Sequence, residues 1–310
     1  MLLIQNGLLH TMENDQPVYA DLLIKNGKIE KIAPSVQKTE NMKVLDAQNL
    51  LVFPGFLDAH SHIGISEEKV TGIGDECNEN TTPATPHLRS IDSIHPMDSA
   101  FHNALASGVT GAMIGPGSSN PVGGQFAFIK TYGRCIDDMI VLAPSAIKIA
   151  FGENPMTTYG TNGNLPSTRM GIAAVIREEL FHAKQYLANT PPDSNQKDFR
   201  LESYRELFEK KIPLKAHVHR TDDIFTAIRI AREFDLDLTL DHCEGMKEID
   251  ALRAITLDAA KICRVDHRLG SLTVGKDADI VLWDGNPLDV KSSVIKTLID
   301  GAVVWEKEKE

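Results

Sequence analysis

The chain has 310 residues, enough to bury a large core with a small satellite domain, and an ordinary composition with 42% hydrophobic and 24% charged residues. A formal net charge of −11 argues against a nucleic-acid partner, which would call for a basic face. No apolar run reaches membrane-spanning length, the opening Met1-Leu2-Leu3-Ile4 is too short for a signal core, and Cys77, Cys135, Cys243 and Cys263 show no CxxC spacing, which suits a reducing cytoplasm.

Residues from Met1 to about Leu51 read as short strands and tight turns. Leu2–Ile4, Leu22–Ile24, Ile29–Ile32 and Lys43–Asp46 are candidate strands, with turn signals at Asn6-Gly7 and Asn26-Gly27. The apolar run Leu50–Phe53 then passes through Pro54-Gly55 into Phe56-Leu57 and ends on Asp58-Ala59-His60-Ser61-His62. Alternate residues of a strand share a face, so His60 and His62 aim at one point with Asp58 on their side. Two neutral imidazoles at a strand end make half of a metal site. The alternative, two solvated turn histidines, is weak because an apolar strand delivers both rings together.

The segment Thr82–Arg89 follows. Arg89 could pair with a substrate carboxylate through a bidentate contact, although an ordinary surface arginine is the safer reading. Ser99–Ser107 has a helical pattern closed by Gly108, and Val109–Ile114 is a strand. Asn120–Gln125 reads as a loop whose backbone N–H groups and Gln125 amide could hold a substrate carbonyl or carboxylate; a plain Gly-rich turn accounts for it at least as well. Ala146–Phe151 is a strand carrying Lys148, closed by Gly152-Glu153-Asn154-Pro155. Arg169–Leu187 is a long amphipathic helix.

Pro213–His219 is a second strand-like run ending in His-x-His, at His217 and His219, and Leu236–His242 a third, ending in one histidine. Between them lies a helix over Thr221–Phe234, opened by Thr221-Asp222-Asp223 as a cap. Leu252–Cys263 is the last helix before a tail of strands at Ile280–Trp283, Ser293–Ile299 and Ala302–Trp305, with a turn at Asp300-Gly301. Strands alternating with helices are a βαβ array, and the architecture that puts catalytic groups at parallel strand ends is a (β/α)8 TIM barrel. The β segments at the two termini can pair into one small β-sandwich. His10, His95, His102, His182 and His267 lack such contexts and read as structural or solvent-facing.

The segment Pro54–His62 and the tail Arg268–Val281, which fits G-S-[LI]-x-x-G-K-x-A-D-[LIV], resemble the metal-dependent amidohydrolase superfamily, and within it the imidazolonepropionase-like and prolidase-like members. The resemblance implies a composite β-sandwich from 1–51 and 270–310 beside a hydrolase barrel over 52–269. It implies metal ligation by His60, His62, His217 and His242, with Lys148 (carboxylated in prolidase-like members) or Glu153 as a bridging anion, and His219 as a substrate contact. A snorkelling strand lysine and a loop surface charge are the plain alternatives for Lys148 and Glu153. One or two Zn²⁺ ions are expected, with Fe or Mn as alternatives. The implied activity is hydrolysis of a carbon–nitrogen bond in a cyclic amide or small acyl-amino compound by a metal-activated water. A prolidase-like dipeptidase is the alternative enzyme. The partner is a small molecule, with neither nucleic acid nor membrane, and a homo-oligomer is left open.

One piece of the family pattern is missing. After His242 a complete barrel needs two more strands and helices, and the family's catalytic aspartate ends the eighth strand; here only Cys243–Asp250 precede the last helix. Two βα units amount to roughly 60–80 residues. Neither Asp241, Asp250 nor Asp258 fits the position. Residues omitted from the sequence near 244–251, a deletion, or a natural degenerate form would each explain this. The first is favoured, because an exposed barrel edge is an aggregation liability. The third would leave a metal-binding but catalytically inactive truncated homologue.

Overall fold

The computed structural model describes residues 1–70, 72–161, 163–240 and 248–308. The chain opens with β1 (Leu2–Leu9), β2 (Val18–Lys25), β3 (Lys28–Ala33), β4 (Lys43–Asp46) and β5 (Leu51–Pro54). Then follow β6 (Phe56–Ser61), α1 (Ser99–Ala106), β7 (Val109–Ile114), β8 (Val122–Lys130), α2 (Ile136–Met139), β9 (Ile140–Ala150), α3 (Glu153–Gly160) and α4 (Arg169–Asn189). The short helices α5 (Phe199–Glu202) and α6 (Arg205–Phe208) lead to β10 (Leu214–His217), α7 (Thr221–Phe234) and β11 (Leu238–Leu240). The chain continues with α8 (Glu248–Ala254), α9 (Leu257–Ile262), β12 (Ile280–Trp283), β13 (Val294–Ile299) and β14 (Ala302–Glu306). Among the described residues no helix is long and apolar enough to cross a membrane.

Strands from both termini share one eight-stranded sheet, in the order β14-β13-β12-β5-β1-β2-β3 with β4 also on β1. The joint is β5 against β12, antiparallel, with Leu51 opposite Trp283 and Pro54 opposite Ile280. The turns Asn26-Gly27 and Asp300-Gly301 both have two residues at positive φ, as two-residue hairpins of right-twisted strands require. Asn6-Gly7 is a different device. It lies inside β1 as an irregularity between Ile4 and Gly7, where Asn6 takes φ 62° and donates its N–H to Asp21. The sheet encloses its own core, with Ile4, Leu22, Val52, Ile280 and Leu298 buried together.

The second sheet has six strands in sequential order, β6 to β11. Its pairs β6–β7, β9–β10 and β10–β11 are parallel, but β8 runs antiparallel to both neighbours. The fold is therefore mixed α/β, and among the described residues this sheet forms part of a barrel rather than a closed (β/α)8 ring. The loop expected at Asn120–Gln125 is mostly strand: all nine residues of β8 are buried. Its glycines serve close approach instead of a turn, since a Cβ on Gly124 would lie 2.7 Å from the Leu88 carbonyl oxygen.

Helices α4 and α7 pack on the outer face, where Ile147, Ile149, Leu214 and Ala216 meet Ile176 and Ile230. The helix α7 starts at Thr221, but its N-cap is Arg220 without a side-chain cap bond; Asp223 instead accepts from Arg169 at 3.0 Å. The helix expected over Leu252–Cys263 is broken at Thr256 into α8 and α9, and α9 packs beside Phe126 and Phe128. The junction expected near 244–251 lies outside the described residues as far as 247.

A buried ion network joins the two sheets. The Lys130 ammonium, at the end of β8, donates to Asp279 at 3.1 Å and to Asp300 at 2.6 Å and lies 3.1 Å from Asp277. Asp277 also takes the Arg268 fork at 2.8 Å and the Lys28 ammonium.

Candidate functional site

The inner face of the six-stranded sheet carries the polar residues. His60 and His62, at the end of β6, stand edge to face with ring centroids 5.1 Å apart. His62 Nδ1 lies 2.8 Å from the Gly115 carbonyl oxygen, which can only accept, so Nδ1 carries the proton and Nε2 keeps a lone pair. A second-layer carbonyl that fixes the tautomer in this way is what a ligating histidine needs. The register of β6 against β7 shifts between Asp58 and Ser61, so strict alternation fails there. Asp58 turns to accept the His60 backbone N–H at 3.0 Å. Desolvation among the strand ends pushes its carboxyl above the usual range, opposed by the His60 amide and by Lys215.

Phe126 of β8 is the hub. The His60 ring lies 5.5 Å from it, and the ammonium groups of Lys148 and Lys215 lie 5.5 and 5.7 Å from its centroid. Lys148 and Lys215 are register partners on β9 and β10, and both are buried. Sequence reasoning missed Lys215, although it stands two residues before His217 in a four-residue strand and so shares its face. The buried His217, last residue of β10, and the exposed His219, two residues beyond the strand, have ring centroids 4.4 Å apart, and Asn154 Nδ2 is 3.5 Å from His217 Nε2. Glu153, beside Asn154, is the exposed first residue of α3.

Two other expected contacts are differently engaged. Gln125 is buried within β8, where its side-chain amide donates to the Pro86 carbonyl at 3.2 Å and its backbone N–H to Leu88 at 2.8 Å. It is thus spent on the wall made by the 82–89 segment. Arg89 directs Nε and Nη2 onto the two oxygens of Asp92, at 3.0 and 3.1 Å. His242 lies outside the described residues. Among the described residues no three His, Cys, Asp or Glu side chains gather as a metal-holding group. The donors nevertheless fit a divalent metal in kind: imidazoles in two pairs, one with its tautomer fixed by Gly115, beside a buried lysine.

A cavity of about 390 Å³ adjoins these residues, with Cys77, Leu88, Pro116 and Gly123 in its lining. A Cβ on Gly123 would come within 3.2 Å of Lys148 Cγ, so little separates cavity and lysine. Burial pushes the Cys77 thiol up to about 11, with Asp75 adding to the shift, so it is a neutral wall group at physiological pH.

The amidohydrolase family model matches residues 216–304. A crystal structure of an amidohydrolase from Thermotoga maritima MSB8 is 34% identical, with a TM-score of 0.93 over 99% of this chain and 100% of that one. An amidohydrolase of Hapsidospora irregularis is 23% identical over 390 residues, covering 92% of this chain and 40% of its own length. An adenine deaminase of Methanococcoides burtonii is 23% identical over 323 residues, covering 90% of this chain and 54% of its own. The chain thus spans about half or less of these two relatives. Both alignments run over more positions than the 310 residues of this chain, so each relative holds segments that it lacks.

Proposed function

This chain belongs to the amidohydrolase family, and we propose that it hydrolyses a carbon–nitrogen bond in a cyclic amide or small acyl-amino compound with a metal-activated water. The observation that carries the reading is the His60–His62 pair with His62 fixed on the Gly115 carbonyl beside a buried lysine. In this reading the six-stranded sheet is the larger part of a (β/α)8 barrel over 52–269, and residues 1–51 and 270–310 are its satellite domain. His60, His62, His217 and His242 would hold zinc, or iron or manganese in its place, with Lys148 or Glu153 bridging if two ions bind.

A bound divalent ion supplies a water acidic enough to ionise near neutral pH and polarises the scissile carbonyl. The chain's own residues orient and enclose. The Gly115 carbonyl holds the His62 ring, and Phe126 packs between His60 and the two buried lysines. Asn154 steadies His217, and His219 stands beside it, facing outward where a substrate enters. The proton carrier is expected on a segment omitted near 244–251. A prolidase-like dipeptidase is the nearest alternative, distinguished by preference for Xaa-Pro peptides. A metal-binding chain without turnover is favoured by one observation, the lack of an aspartate in the eighth-strand context. A cytoplasmic setting and a small-molecule substrate complete the proposal.

The test is metal content by mass spectrometry together with hydrolysis of a panel of N-acyl amino acids, dihydropyrimidines, purines and Xaa-Pro dipeptides. The wild-type chain is expected to retain one or two equivalents of metal, and His60→Ala with His62→Ala to lose most of it while still folding. Wild-type protein that takes up no divalent ion would overturn the reading. Metal uptake without turnover of any compound would select the inactive form.

A further inference from the structure

We infer that the cavity beside Lys148 receives an uncharged aliphatic group of the substrate, so that the compound hydrolysed is an amide with a short, neutral apolar side group. This rests on the hydrolase reading above and names its substrate class. The cavity, at about 390 Å³, has room for such a chain. It meets the candidate site at two points. Pro116 follows the carbonyl that holds His62. At Gly123 a Cβ would crowd Lys148 Cγ at 3.2 Å and Pro116 Cγ at 3.4 Å, so only the bare glycine separates cavity and lysine.

The polar side chains of the lining are already committed to the wall. Arg89 holds both oxygens of Asp92. Glu76 accepts from the Ser93 hydroxyl, and Glu79 accepts from the Thr81 hydroxyl at 2.7 Å and backbone N–H at 3.3 Å. Asn78 Oδ1 accepts the Ser119 N–H at 3.0 Å, and the Ser90 hydroxyl oxygen is sealed from the space. The other side chains of the lining are uncharged. They are Ile65, Pro116, the Cys77 thiol, and Leu88, a leucine left 37% exposed.

A charge of either sign is unfavourable there. Glu76 and Glu79 repel an anion. On the side of the candidate site stands the buried Lys148, whose charge reaches the Cys77 thiol and repels a cation. The two signs offset, so neither ion recovers the cost of leaving water. A methylene chain has no such cost, and it gains about three- to four-fold in affinity for each CH₂ buried.

Cys77 supplies a probe inside the cavity. The full chain is treated with three methanethiosulfonates carrying propyl (neutral), ammonioethyl (cationic) and sulfonatoethyl (anionic) groups. Each forms a disulfide with the Cys77 sulfur and releases methanesulfinate, and peptide mapping separates this label from that on the exposed Cys135. Rates are taken relative to 2-mercaptoethanol, which removes the reagents' own differences. The propyl reagent is expected to label Cys77 at least about ten-fold faster than either charged one. Hexanamide should protect Cys77 from it at concentrations at least about ten-fold lower than 6-aminohexanamide (cationic) or adipamate (anionic). A charged reagent or amide that equals its neutral counterpart, or a Cys77 that none of the reagents labels, overturns the inference. Labelling needs neither metal nor turnover. A neutral preference in a chain without metal or turnover would therefore sink only the hydrolase reading, and turnover of amides without that preference would sink only this one.

Discussion

Thr110 Oγ1 lies 2.0 Å from where a Cβ on Gly55 would sit, and Thr110 is fully buried. That contact explains the glycine in Pro54-Gly55 better than a turn does: β5 ends at Pro54, β6 begins at Phe56, and the chain passes from one sheet to the other through a gap with no room for a methyl group. The Gly55 N–H is bonded to the Asp279 carbonyl at 2.9 Å, so the backbone has little freedom to retreat. Gly55→Ala is expected to destabilise the fold by about 1–3 kcal/mol, the usual cost of overpacking. Urea unfolding checks this; an unchanged midpoint would mean that Thr110 rotates aside at no cost. Gly115 is the parallel case inside the site, since its Cβ would lie 2.3 Å from the Phe126 ring on which His60 and both lysines rest.

Between elements, the most consequential contact is Lys130 of β8 against the tail. Asp277 and Asp279 belong to the closing signature, and they reach a lysine about half the chain away. The groups facing Asp279 are Lys130 and Asp300; Asp277 faces Lys130, Lys28 and Arg268. Burial pushes the Asp279 carboxyl up to about 6 against the pull of Lys130, while the carboxylates around Lys130 push its ammonium up, and cationic partners hold Asp277 down. The sign for Asp279 follows from its raised value. Its contribution to stability is full below the unfolded value near 3.8 and is lost as pH rises through about 6. Asp279→Asn does not titrate. The stability of wild type relative to this variant is therefore expected to increase as pH falls from 7 to 4, by up to about 3 kcal/mol. Paired urea titrations at several pH values test it, and a difference that does not vary with pH would show that Asp279 ionises normally.

For the whole molecule, the eight-stranded sheet ties the two termini together, while the six-stranded sheet carries the candidate site and remains open among the described residues. An open barrel is unfavourable for an isolated chain, because an unpaired strand edge then meets water and other chains. The longer alignments to relatives fit the same view. Intact mass spectrometry of the protein from its own source should give a value several kilodaltons above 34.1 kDa, the mass of these 310 residues. A mass of 34.1 kDa would mean that the short form is real, and it would move the proposal toward a metal-binding chain without turnover.

Local order was legible residue by residue. The helix over Thr221–Phe234 and the strands Val109–Ile114, Lys43–Asp46 and Ile280–Trp283 have the ends that periodicity and turn chemistry predict. That His60 meets His62 and His217 meets His219 was legible from their two-residue spacing at the ends of apolar strands, although the irregularity between Asp58 and Ser61 means that strict alternation does not produce the first pair. Long-range partners were not legible. Asn120–Gln125 reads as a Gly-rich loop until β7 and β9 are present to pair with the strand it opens, and Gln125 and Arg89 look available until Pro86 and Asp92 engage them. Lys148 and Lys215 meet over Phe126 only because three strands lie side by side, and Lys130 finds Asp279 across 149 positions. Sequence alone determined which residue types share a side in the regular strands it marked, such as β7 and β10, since that depends on backbone geometry a few residues long. Which side chains touch depends on packing between distant segments, and only the tertiary structure decided it.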